Sequence, residues 1–132
     1  MNTSELPGEV RRFITHHIDS VEQLEVLLLL HHNPGRAWSA EAVARELRIA
    51  PASAGERLED MAQDGLMKRQ GVSPEEYRYD PQSMKLDDAV RGLATAYAKR
   101  RVTVINLIYS KPIDKIRTFA DAFRLRKDDD HD

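Results

Sequence analysis

The stretch from Trp38 to Tyr79 limits what this chain can fold into more than any other part of it. Ala42, Val43 and Leu47 form one apolar helical stripe, closed by Ile49. After a break at Ala50-Pro51, Ala54, Leu58 and Met61 form a second stripe at the spacing of one helix face. Gly65 stops that helix. Leu66–Gln70 and Glu76–Tyr79 then read as two strands flanking the turn Gly71-Val72-Ser73-Pro74. The order is helix, turn, helix, hairpin.

That order resembles the winged helix-turn-helix of bacterial transcriptional regulators such as the MarR group. Leu58 and Met61 followed by Asp64-Gly65-Leu66-Met67 look like the end of the recognition helix, its glycine stop and the first wing strand, and Tyr77-Arg78-Tyr79 looks like the returning strand. The resemblance covers about residues 20 to 81. It implies a mainly α fold, a winged helix-turn-helix with a small β-hairpin wing and long C-terminal helices, and it implies DNA as a partner. By the same resemblance the helix Pro51–Asp64 takes the place of the recognition helix, and Ala52, Ser53, Gly55 and Glu56 match the positions that face DNA, with Arg57 beside them. The short segment before helix Ala40–Leu47 supplies a small strand to the wing sheet, which puts Trp38 in the core at that junction.

A helix in the major groove needs donors for base edges and positive charge for phosphates. Ser53 and Arg57 are the donors here, Ala52 suits a thymine methyl, and Glu56 can accept from a cytosine amine. Arg69 and Arg78 on the wing strands are the candidate phosphate contacts. Yet Glu56, Glu59, Asp60 and Asp64 outnumber Arg57 on this helix, and the wing tip carries Glu75 and Glu76. Gly55 costs its helix roughly 1 kcal/mol relative to alanine and allows close approach of another backbone. Ala50 offers no side-chain oxygen as a cap, so Ser53 with Glu56 is expected to cap a later start.

Charge is divided along the chain. Residues 1–83 carry nine Lys/Arg against fourteen Asp/Glu, residues 84–127 eleven against four, and the tail Asp128-Asp129-Asp130-His131-Asp132 adds four acids. A winged helix that binds DNA is expected to be basic in its helix-turn-helix body; this one is acidic there.

Around the central stretch, Val10, Phe13, Ile14 and Ile18 mark a leading helix over 7–18. Ser20 with Gln23 forms a capping-box pair at the start of Val21–His31, whose Val21, Leu24, Leu27 and Leu28 face inward, widened by Leu29 and Leu30. Ser39 and Ser83 are N-caps. From Met84 to about Ser110 the pattern is helical, and Leu86, Val90, Leu93, Tyr97, Val104 and Ile108 approach a heptad seam in which Arg100 fills the missing place. Such a seam either packs within its own chain or forms a dimer; the dimer is the favoured reading. Val102-Thr103-Val104-Ile105 is β-branched and marks a hinge or a strand. Beyond Lys111-Pro112 a last helix, Ile113–Arg126, adds Ile116 and Phe123 to the same interface, and its basic edge is either solvated or a surface for nucleic acid or an acidic protein. The expected organisation is therefore a winged-helix domain over 1–83, dimerisation helices over 84–127 and a disordered acidic tail over 128–132.

The sequence has no cysteine, no phosphate-binding glycine loop and no order of Ser, His and Asp that suggests a triad, so no enzyme is expected. His16-His17 and His31-His32 are better read as polar helix ends than as metal ligands, and neither metal nor cofactor is assigned. No apolar run approaches the roughly 18 residues of a membrane span, and MNTSELPGEV lacks a signal layout, so a cytoplasmic protein is expected. Two functions remain open: a dimeric winged-helix DNA-binding transcriptional regulator, or a winged helix whose acidic, degenerate DNA face serves as a protein-interaction module.

Overall fold

The structure is a computed structural model and describes residues 6–110. Its elements are α1 (Gly8–His17), α2 (Val21–His31), β1 (Trp38–Ser39), α3 (Ala40–Leu47), α4 (Pro51–Gln63), β2 (Met67–Gln70), β3 (Glu76–Tyr79), α5 (Met84–Lys99) and α6 (Arg101–Tyr109). Helix α2 is the hub. Gln23, Leu24, Val26, Leu27, Leu28 and Leu30 are all buried, and α3, α4, β3 and α5 pack around them. A helix apolar on so many sides has to be enclosed rather than laid on a surface.

The helix starts follow the expected caps. Ser20, Ser39 and Ser83 each accept a backbone N–H three residues on. The reciprocal half of the first capping box differs, because Gln23 Oε1 accepts from the N–H of Asp19, not of Ser20, and its side chain is buried in doing so. Helix α4 starts at Pro51 with Ala50 as an uncapped N-cap; proline has no N–H to satisfy there, so no serine cap is needed. A Cβ added at Gly55 would meet the Ala40 side chain at ordinary contact distance and no backbone of another element.

The sheet order is β1-β3-β2, antiparallel throughout, with Trp38 opposite Tyr77 and Arg69 opposite Tyr77 on the other side. Trp38 is buried, as expected of the junction, and the Arg36 guanidinium lies 3.6 Å from its ring centroid. Below the wing, His31 from α2 meets the Tyr79 ring edge-on at 5.0 Å, and the Tyr79 hydroxyl donates to Asp87 of α5 at 2.7 Å. This cluster joins the hub, the wing and the C-terminal helices.

The helix expected to run from Met84 to about Ser110 breaks at Arg100, where φ is −134° and ψ 54°. The β-branched run 102–105 follows at once and lowers helix propensity at that point. The break lets α6 pack back against α1 and α5. As a result Val90, Leu93, Val104 and Ile108 are buried together with Val10, Phe13 and Ile14 of α1 in one core. Glu25 of α2 steadies the joint: it accepts from the Tyr97 hydroxyl at 3.2 Å and lies 3.7 Å from Arg101, which covers the Tyr97 ring.

Two outcomes follow from this packing. Gly65 has φ of +83°, and an added Cβ would strike the Gln82 side chain, while its carbonyl accepts from Gln82 N at 2.7 Å. Gly65→Ala should lower stability by about 1–2 kcal/mol in urea unfolding, the cost of a left-handed conformation for a residue with a Cβ. Burial, then the neighbouring His32, hold the His31 imidazole below its ordinary value, with Arg91 acting the same way and Asp87 opposing. The unfolded chain then takes up that proton first, so stability should fall as pH drops below about 6.5 and level off below the folded value. His31→Gln should flatten that part of the profile; an unchanged slope in urea midpoints would remove His31 as its source.

Candidate nucleic-acid interface

The turn between α3 and α4 places Arg48 in the left-handed region (φ 60°) and returns the Ile49 N–H to Ala44 O at 3.0 Å. This short turn sets α3 and α4 against each other. Ala54, Leu58 and Met61 fix the buried face of α4. Helical periodicity then puts positions 52, 56, 60 and 63 on the opposite side, and Ala52, Glu56, Asp60 and Gln63 are all exposed. The outward face of α4 thus carries two acids and no cation.

Ser53 and Arg57 lie off that face, half-buried on the side toward α2. The Ser53 hydroxyl donates to Glu22 Oε2 at 2.6 Å, so its partner is Glu22 and not the start of its own helix. Arg57 Nη2 is 3.7 Å from Glu22 Oε1, and its Nε is buried with no hydrogen-bond partner. On the other side of α4, Arg69 of β2 pairs with Glu59 and also lies 3.5 Å from Glu75. The buried Tyr77 donates its hydroxyl to Glu59 at 3.1 Å and Glu75 at 3.4 Å. Burial pushes the Tyr77 hydroxyl above the usual tyrosine value despite Arg69, so it stays a donor. Arg78 of β3 is 3.7 Å from Asp80. An acidic cleft lined by Glu41, Glu59, Glu75 and Tyr77 separates the start of α3 from the wing.

Arg69 stands opposite Tyr77 and Arg78 opposite Lys68, so the two wing arginines lie on opposite faces of the sheet, and every one of the arginines expected to contact DNA lies beside a carboxylate of its own chain. Three exposed cations that sequence reasoning passed over, Arg45, Arg48 and Lys68, have no ion pair among the described residues. A basic residue in the motif's turn or on its first strand was the available signal. Glu22 was also missed, because its link to α4 spans 31 positions and leaves no periodic trace.

Of the residues expected at a dimer interface, Val90, Leu93, Val104 and Ile108 are buried within the chain, and Leu86 and Tyr97 are half-buried. Ile116 and Phe123, with the helix Ile113–Arg126, lie outside the described residues. Among the described residues no group of three or more His, Cys, Asp or Glu can hold a metal ion, and no helix is long and apolar enough to cross a membrane.

No family model and no curated protein matches the sequence. Solved structures do. A mutant of S. aureus MepR bound to an oligodeoxyribonucleotide is similar over 96% of this chain and 91% of that one, with a TM-score of 0.54 and 10% identity. A MarR-family transcriptional regulator from Rhodococcus sp. RHA1 is similar over 92% of this chain and 84% of that one, with a TM-score of 0.50 and 15% identity. At such identities the likeness establishes the fold, which is the winged helix of MarR-family regulators.

The Ser53–Glu22 hydrogen bond joins α4 to the hub. Ser53→Ala should lower stability by about 1.5–3 kcal/mol in chemical unfolding, the range for a lost hydrogen bond to a charged acceptor. No loss would mean that the hydroxyl contributes nothing net there.

Proposed function

We propose that this chain is a dimeric winged-helix transcriptional regulator that binds DNA through α4 and its wing. The observation that carries the reading is architectural: α4 stands exposed beside a three-stranded wing in a fold shared with a protein bound to an oligodeoxyribonucleotide. Ala52, Ser53, Glu56 and Arg57 take the base-reading role, and Arg69 and Arg78 the phosphates, joined by Arg45, Arg48 and Lys68. Residues 1–83 are the DNA-binding part and 84–127 the assembly part. Half-buried Leu86 and Tyr97, with exposed Met84, Val102 and Tyr109, offer the apolar surface to a second copy, and Ile116 and Phe123 extend it in the sequence. Such a regulator works in the cytoplasm.

A second reading is favoured by one observation. The outward face of α4 has two acids and no cation, which suits a basic protein partner better than a phosphate backbone.

Fluorescence anisotropy with duplex DNA from around the chain's own coding region separates the two. The regulator should prefer particular sequences, and each phosphate contact should add about −0.9 to the slope of log K against log salt. Arg57→Ala should reduce discrimination among sequences as well as affinity. No sequence preference at low salt, together with binding created by Glu56→Lys that the native chain lacks, would leave the protein-interaction reading. Light scattering should give a dimer mass; a monomer would remove the assembly.

A further inference from the structure

We propose that Glu22 and Glu59 set how strictly this chain selects DNA: they hold Arg57 and Arg69, with Ser53, against the protein and yield them only to a duplex that offers base contacts as well as phosphates. The inference rests on the regulator reading above.

Each carboxylate has two partners, although the Glu59–Arg69 pair is exposed, with side chains 43% and 40% accessible. Glu22 sits in the first turn of α2, half-buried, with one oxygen fixed by the Ser53 hydroxyl at 2.6 Å and the other facing Arg57 Nη2 at 3.7 Å. Glu59 lies on α4 with one oxygen accepting from Tyr77, whose ring is buried, and the other pairing with Arg69. Glu75 from the wing tip closes the opposite side of Arg69. The two base-reading donors are thereby tied to the hub and the wing arginine is tied to the recognition helix. Exposed ion pairs are worth little when both partners move freely. Here a second hydrogen bond holds each carboxylate in place.

For an arginine so held, moving to a DNA phosphate exchanges one anion for another. A duplex that offers only its backbone therefore gains little from Arg57 or Arg69, and sequence-independent attraction falls to Arg45, Arg48 and Lys68, which have no ion pair among the described residues. Base edges add hydrogen bonds that the carboxylates do not replace, so the exchange becomes favourable at a matching site. Selectivity built by opposing the wrong ligand is a general device, and these carboxylates oppose bare backbone.

The test uses the full-length chain, a labelled mixed-sequence duplex and a duplex from around its coding region, titrated between roughly 50 and 200 mM salt. Glu22→Gln and Glu59→Gln keep a side chain that hydrogen-bonds Ser53 or Tyr77 while losing the charge. Each should bind the mixed-sequence duplex more tightly, Glu22→Gln several-fold and with a salt slope steeper by about 0.9 for the one arginine released, Glu59→Gln by less because Glu75 still faces Arg69. The preference for the matching duplex should shrink. Asp60→Asn removes one charge from the exposed face of α4, where no ion pair holds a cation, and measures the plain effect of charge. The gain should vanish in Glu22→Gln/Arg57→Ala and in Glu59→Gln/Arg69→Ala. A gain no larger than that of Asp60→Asn, or one that survives loss of the arginine, overturns the proposal while leaving DNA binding intact. If neither the native chain nor any variant binds either duplex at low salt, the regulator reading fails first and this proposal with it.

Discussion

Everything in this molecule is arranged around the enclosure of α2. Its buried residues cannot face water, and an exposed leucine side chain forfeits roughly 1.5–3 kcal/mol relative to a buried one. The helix-turn-helix covers one side of it, β3 a second and α5 a third. Near the start of α2, Glu22, Gln23 and Glu25 each reach a different neighbour: α4, the Asp19 backbone and the joint between α5 and α6, while His31 at its end meets Tyr79. Helix α4 inherits part of its placement from the Ser53–Glu22 bond, beside its own apolar stripe.

That inheritance explains why the surface looks ill-suited to a polyanion. An acidic body could be a mere excess of exposed glutamates, but the pairing at Glu22, Glu59 and Glu75 is specific and stitches α2, α4 and the wing together. The carboxylates that neutralise Arg57 and Arg69 are the ones that brace α4 against α2 and the wing. The same carboxylates tie the wing to α4 and make this side of the molecule acidic.

The parts of this fold that were legible in the sequence are those set by neighbours three or four residues away. The stripe of Ala54, Leu58 and Met61, the serine caps at 20, 39 and 83, the Gly65 stop and the strand Glu76–Tyr79 all follow local rules and appear where those rules put them. The seam after Met84 was legible as apolar but not as folded back, because the turn at Arg100 depends on α1 being there to receive Val104 and Ile108. The candidate site was legible in its residues and not in its state. Ser53, Arg57 and Arg69 could be picked out by position, whereas the acids that hold them come from 31, 35 and 10 residues away, distances at which a single sequence gives no pairing signal.

The return of α6 against α1 has one more effect. Leu6 and Arg11 line the same cleft as Thr103, Asn106 and Ser110, so the two ends of the described chain meet at a single corner. Contacts there close the longest loop available, and loop closure grows more costly with length. That cost is met where Val10 and Ile14 of α1 are buried with Val104 and Ile108 of α6, so the chain's most distant described parts are tied by apolar contact.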